Sequence, residues 1–460
     1  MMASYREAAF RAEGRTRSAA RQFPMSLAAT RAFEPNPARE KLLRSVLWLM
    51  LALSCVSFIE PSPYEFFFFL LIPVSLFAGI ALTRTTIFLF FMLFTIVLAQ
   101  FFSLIPYIQH RVVGDGLTPS LYTIYTVYLY SSAVLFAVIF SHNSVERVTL
   151  AIRAYAYSTV FAGVWGILSF LNVGGLGDRE PITGRVAGPF KDPNVLGSYC
   201  IMGVLFFVQA LLLDKKRPVL NLAAASIAFV GGVFFSMSRG SIGAMMVELV
   251  FLLCITWATY GRQVRRRIVI GASMFVLLAS VGVGAIATDP EMLDNVTQRA
   301  KIEQEYDGGV TGRFGNQKRS INMLIERPFG FGPFRFPITF SLQPHNSYIG
   351  AFSDAGWIGG LAFLFMVLST SFVGLRLALT RSPFQRAAQV VTPAALGFFL
   401  QALQIDIDHW RFVFLMIGAI WGMESARRGL IAGRYLVSPA SPAPAQDYRD
   451  GAMATGTRSR

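Results

Sequence analysis

Thr311 to Gly360 begins TGRFGNQKRSINMLIERPFGFGP and ends QPHNSYIGAFSDAGWIGG. It holds much of the longest interruption between two segments apolar enough for a membrane, and it sets His345 and Asn346 directly before the second of them. Residues 311 to 327 read as a helix. Phe314, Ile321, Leu324 and Ile325 fall at partly helical spacing with Arg313, Lys318, Arg319 and Arg327 between them, until Pro328 and the FGFG turn end it. Such a helix lies along a membrane surface, and the fold is expected to gather around a polar site there.

The rest of the chain has the composition of a polytopic membrane protein. Of its 460 residues 54% are hydrophobic and only 15% charged, with a mean hydropathy of +0.52, which is too apolar for an ordinary soluble globule. The expectation is an all-α, polytopic helical bundle of about twelve transmembrane helices, at 42–59, 66–82, 86–105, 120–140, 148–171, 194–213, 219–237, 240–260, 268–287, 348–377, 388–403 and 412–426. One integral domain, 42–426, is expected between a basic tail at 1–41 and a second tail at 427–460. Cys55, Cys200 and Cys254 fall inside apolar segments with no metal-ligand spacing, so neither a disulfide nor zinc is expected.

The net charge of +15 does not point to nucleic acid, because the basic residues are spread over short loops and tails. Topology accounts for them. With the N-terminus inside, the loops holding Arg84, Arg147, Lys216, Arg217, Arg265, Arg266, Arg381 and Arg386 all fall on the cytoplasmic side, as the positive-inside rule requires. The same parity puts 60–65, 106–119, 172–193, 288–347, 404–411 and the Ser238-Arg239-Gly240 turn on the opposite face. The loop at 288–347 is thus expected to be periplasmic and to contain the amphipathic helix.

Four pieces of that outer face can carry chemistry. Gly184 to Asn194 is rich in glycine and proline and runs into a helix start; with Arg185 and Lys191 it suits an anion, or equally lipid phosphates at the interface. Arg239 sits in a minimal polar break, where it either snorkels or meets an anionic ligand, and Glu248 beyond it needs a structural or relay-like role inside the bundle. Arg313 can hold phosphate bidentately or belong to a solvated face, and His345 can be a structural hydrogen-bonder or a base. Asp406 and Asp408, one residue apart, suit a divalent metal or simply a polar loop at a helix end.

GRVAGPFKDPNVLGSY at 184–199, MSRG at 237–240, GR at 312–313, ERPFGFG at 326–332 and PHNSYIGAFSDAGWIGG at 344–360 together resemble the O-antigen ligase-related membrane glycosyltransferases, which include O-antigen ligases and exopolysaccharide polymerases. The likeness spans an O-antigen ligase-related core at 184–425. The resemblance implies an enzyme that moves a glycan from a polyprenyl (undecaprenyl) diphosphate donor to an acceptor hydroxyl, on a glycan or a lipid A-core, at the periplasmic face of the bacterial inner membrane. It implies inversion, and neither metal nor cofactor. Arg185 and Arg239 join His345 as the implied catalytic set, Arg313 and Lys191 bind the diphosphate, and Asn194, Asn346 and Asp408 give support. Gln317 departs from the pattern, which has an aromatic residue there. The reading from another class is a lipid-linked oligosaccharide flippase, or a non-catalytic component of a polysaccharide assembly complex; the absence of an internal repeat and a polar site gathered on one face argue against transport.

Overall fold

A computed structural model describes residues 36–109, 118–180, 184–214, 216–288, 290, 309 and 312–432. The expectations for 1–35, for 433–460 and for most of 288–311 lie outside the described residues. Asn36–Gly429 forms one compact unit.

Among the described residues the regular elements are helices: α1 Pro37–Ala52, α2 Pro63–Phe77, α3 Arg84–Leu104, α4 Pro119–Phe140, α5 Ser144–Phe170, α6 Pro193–Leu213, α7 Pro218–Ile227, α8 Arg239–Thr259, α9 Arg262–Ala287, α10 Arg313–Ile325, α11 Phe336–Phe340, α12 Ser347–Leu379, α13 Gln385–Gln401 and α14 Arg411–Ile431. Arg84–Tyr107, Pro119–Phe140, Pro193–Leu213, Arg239–Thr259 and Ser347–Leu379 are long and apolar enough to cross a membrane. Helices also occupy the other expected positions. The segment read as 42–59 ends as helix at Ala52.

Local chemistry fixes the helix starts. Asn36, Thr118 and Asp192 each precede a proline at the first helical position and accept a backbone N–H through the side chain, while Ser62 and Glu65 form a capping box before α2. Where α5 crosses the end of α7, glycines remove the side chains that would hold the backbones apart. A Cβ on Gly163 or Gly166 would run into the carbonyls of Ile227 and Gly231. Past Ile227 the chain continues as a π-helical stretch, Ala228–Phe234. It delivers Phe235 and Ser236 to the glycine-rich loop at 184–194, where Val186 N–H donates to the Phe235 carbonyl at 3.0 Å.

The segment expected as one span at 348–377 is two helical pieces, because α12 breaks at Gly356 (φ 63°, ψ −164°). In apolar surroundings a broken helix must find partners for the backbone groups it exposes. The ERPFGFG turn supplies them. Phe331 and Gly332 N–H donate to the Ser353 carbonyl at 2.7 and 3.1 Å, and Trp357 N–H donates to the Pro328 carbonyl at 2.9 Å. Trp357 Nε1 reaches the Leu324 carbonyl at 2.8 Å, and Ser103 Oγ donates to the Phe329 carbonyl at 2.7 Å. Leu324, Phe331, Phe336, Phe340 and Ile349 bury one another behind this contact, which clamps α10 and α11 over the start of α12.

Gly330 sits at φ 74°, and a Cβ there would strike the Ser353 and Phe352 carbonyls. Gly330→Ala is expected to cost at least about 1–2 kcal/mol, read as a lowered thermal unfolding midpoint of the detergent-solubilised protein, whereas Gly243→Ala, in a helix with open space around it, is expected to hold or raise that midpoint.

Candidate functional site

The site is built on the seam between the start of α12 and the loop from Ala402 to Trp410. Asp406 closes it, accepting His345 N–H at 3.1 Å and Asn346 N–H at 2.9 Å on its two carboxylate oxygens. Asn346 caps α12 by accepting from Tyr348 and Ile349 N–H, and donates its amide to the Leu403 carbonyl at 3.0 Å. Ser347 N–H donates to the Ala402 carbonyl at 2.8 Å, and Ser347 Oγ accepts Ile407 N–H at 2.8 Å. His345 is thereby held at φ 44°, a left-handed conformation that costs a residue with a Cβ about 1–2 kcal/mol. Its ring stays partly exposed, 43% of the side chain being accessible, with Nδ1 3.6 Å from Asp406.

The carboxylates around this seam do different jobs. Burial, together with the Asp408 charge, pushes Asp406 up to about 7, while the two N–H bonds pull the other way. Burial also opposes ionisation of Asp408, but His409, at 3.1 Å, and the Tyr122 hydroxyl outweigh it and hold that carboxyl below its usual range. Burial lowers and Asp408 raises His409, with a net upward shift. Tyr122 sets its single hydroxyl proton between Asp354 at 2.7 Å and Asp408 at 2.9 Å. Asp406 and Asp408 therefore turn to separate partners. Among the described residues no group of three or more His, Cys, Asp or Glu is arranged to hold a metal ion.

α10 lies over the back of His345. Arg313 Nη2 donates to the His345 carbonyl at 3.4 Å, and Gln317 Nε2 donates to the Pro344 carbonyl at 2.9 Å. The residue that departs from the family pattern thus pins α10 to the site through an amide. On α10 the apolar Phe314, Ile321 and Ile325 point outward, while Leu324 is buried.

From the other side the loop at 184–194 and the start of α8 reach the same seam. Glu180 receives Ala187 N–H at 2.5 Å and Gly188 N–H at 3.3 Å, which shapes the glycine-rich loop. Arg185 donates to the Ser236 carbonyl at 3.0 Å and to Asn194 Oδ1 at 2.8 Å. Ser241 Oγ donates to the Asn194 carbonyl at 3.2 Å and lies 2.9 Å from Ser198 Oγ, which meets the Gln401 amide. A Cβ on Gly240, next to Arg239, would sit 3.3 Å from the Gln401 amide nitrogen and 3.5 Å from that of Gln404. Arg185, Asn194 and the Arg239 turn are thus joined through Gln401 to the loop that holds His345, Asn346 and, through them, Arg313. Lys191 stands apart from this path, with its ammonium 2.5 Å from Glu60 in an exposed pair.

Residues 224–364 match the family model described as Wzy_C, O-Antigen ligase. The match supports an O-antigen ligase-related family. It takes in Arg239, Arg313, His345 and Asn346, and stops short of Arg185, Asn194 and the Asp406–Asp408 loop. No curated protein matches the chain. Asp406 is marked in the sequence only as one of a pair of carboxylates, and Gln401, Glu180, Tyr122 and Asp354 have no signal of their own, since each gains its role from a partner at least seven positions away.

Asp406 has a folded-state value above the ordinary carboxylate range, so its proton favours the folded state. That contribution is complete in acid and is lost as pH rises through about 7. Asp406→Asn is expected to flatten the stability change between about pH 4 and pH 7. It also leaves one of the two N–H donors facing an amide, which lowers stability by about 1–3 kcal/mol; thermal unfolding measured across that pH range checks both effects.

Proposed function

We propose that this chain transfers a glycan from a polyprenyl diphosphate-linked donor to an acceptor hydroxyl at the periplasmic face of the inner membrane, as an O-antigen ligase or surface polysaccharide polymerase. The family match suggests glycan transfer in O-antigen or polysaccharide assembly. The observation that carries the finer reading is the hydrogen-bonded path joining Arg185, the Arg239 turn, Arg313 and His345 around one loop. In this reading the domain spans 42–426 with about twelve membrane helices, the loop at 288–347 is periplasmic, and the tails at 1–41 and 427–460 face the cytoplasm.

The chemistry assigned to the site is a single displacement. The acceptor oxygen bonds to the anomeric carbon as the bond from that carbon to the diphosphate oxygen breaks, which inverts the centre. Electrons of the breaking bond stay with the leaving diphosphate, and Arg185, Arg239 and Arg313 meet the growing negative charge with charge-assisted hydrogen bonds. The proton of the acceptor hydroxyl passes to the His345 imidazole, whose side chain is partly exposed. Asn194 holds the Arg185 guanidinium, and Asn346 holds the turn that carries His345. Lys191 contributes to diphosphate binding on leaving Glu60, since an exposed pair of this kind is worth at most about 1 kcal/mol. Asp408 supports the acceptor side through Tyr122 and His409. No step assigned here calls for a metal or a cofactor.

Purified protein in detergent, given a polyprenyl diphosphate glycan and an acceptor, is expected to form the glycosylated product without any membrane barrier. Activity confined to sealed bilayers would instead indicate a flippase. His345→Ala and Arg185→Ala are expected to lower turnover at least about 100-fold while the protein accumulates in the membrane at wild-type level. Turnover near wild type in either variant removes that residue from the mechanism.

A further inference from the structure

The far ends of α12 and α14 carry a charge cluster that glycan transfer does not use. Glu424 is fully buried, and three guanidiniums converge on it. Arg376 Nη2 and Arg428 Nε each lie 2.5 Å from Oε1, while Arg427 donates from Nε to Oε2 at 2.8 Å and from Nη2 to Oε1 at 3.0 Å. The carboxylate is the floor of the cluster and the arginines open outward, with 18%, 32% and 59% of the Arg427, Arg376 and Arg428 side chains accessible. One carboxylate against three guanidiniums leaves a formal excess of two positive charges. Arg376 Nε is buried without a hydrogen-bond partner. Ser425 Oγ, 2.7 Å from Thr83 Oγ1, ties the cluster to the start of α3, where exposed Arg84 adds a further cation.

α12 begins beside His345 and ends beside Arg376, so the cluster is at the end of that helix away from the candidate site. Below Arg376 the helix shows an unbroken apolar face. Phe372, Leu368, Phe365, Leu361 and Ile358 follow at intervals of three or four residues, which places them on one side, and all are more than half exposed. From Ile358 to Arg376 the helix rises about 27 Å, close to the thickness of a hydrocarbon core of about 30 Å. The guanidinium lies over the Phe372 ring, 5.7 Å from its centroid, at the head of that face. A cationic seat with room for an anion, at the head of an apolar strip whose first half, about 15 Å, matches one leaflet, has the profile of a lipid with an anionic headgroup. A free phosphate would use only the seat.

We infer that Arg376, Arg427 and Arg428 seat the phosphate of an anionic phospholipid whose acyl chain runs along α12 from Phe372 past Leu368 to Phe365. Glu424 fixes the three guanidiniums in position, and the bound phosphate supplies the negative charge that this single carboxylate does not. This inference stands apart from glycan transfer and survives if that reading fails.

The test uses full-length protein in nanodiscs of phosphatidylcholine alone and of phosphatidylcholine with phosphatidylglycerol, with thermal unfolding and native mass spectrometry as readouts. Phosphatidylglycerol is expected to raise the unfolding midpoint and to stay bound after detergent extraction, and inorganic phosphate added to the phosphatidylcholine discs is expected to do neither. Arg428→Gln, at the most exposed of the three positions, is expected to weaken phosphatidylglycerol retention about fivefold. The double variant Arg376→Gln, Glu424→Gln, which avoids stranding a buried charge, is expected to abolish it. Equal midpoints in the two lipids, or retention unchanged in Arg428→Gln, overturn the proposal even if the double variant fails to fold. A phosphate-induced rise equal to that of the lipid overturns the acyl-chain half and leaves an anion site.

Discussion

One carboxylate holds the site together. Asp406 accepts the N–H groups of His345 and Asn346, and that pair of bonds fastens the loop after α13 to the first turn of α12. It acts with the Asn346 and Ser347 bonds to the same loop to offset the left-handed backbone at His345. The position of this carboxylate carries an electrostatic cost that the two bonds only partly offset, since burial and the neighbouring Asp408 push it up to about 7. The arrangement therefore trades some stability at neutral pH for a fixed histidine.

The same logic of satisfying polar backbone in apolar surroundings shapes the rest of this end of the bundle. The break at Gly356 exposes a carbonyl and an N–H, and the FGFG turn answers both. Two motifs that look separate in the sequence, ERPFGFG and SDAGWIGG, are two halves of one contact, and at Gly330 and Gly356 the opposing backbone leaves no room for a Cβ. Close packing of this kind lets α10 be clamped over His345 by Gln317 and Arg313 although its outward face is apolar.

Much of the chain was legible from its residues. Capping residues and prolines mark the helix starts, and the apolar runs mark the helices, because both signals are local and act through the backbone of the next turn. Arg185, Arg239, Arg313 and His345 stand out as charges or an imidazole beside apolar sequence, each with a structural alternative, and only the family resemblance assigns them roles. Asp406, Gln401 and Glu180 could not be ranked in the same way, since an acid or amide near a helix end is ordinary until its partner is known. The break within 348–377 was hidden too, because Gly356 sits in an apolar run that suits an uninterrupted helix equally well.

Sequence by itself determined that this is a helical protein apolar enough for a membrane, with most of its unusual polar residues outside the apolar runs, because composition and periodicity follow from the solvent each residue must face. Tertiary structure alone decided that four separated pieces meet around the loop at 402–410, that Lys191 turns to Glu60 instead, and that Gln317 replaces an aromatic contact with a hydrogen bond. Those outcomes rest on distances between residues tens to hundreds of positions apart. Such distances are set by how glycine crossings and broken helices let the bundle close, and no local property of the chain encodes them.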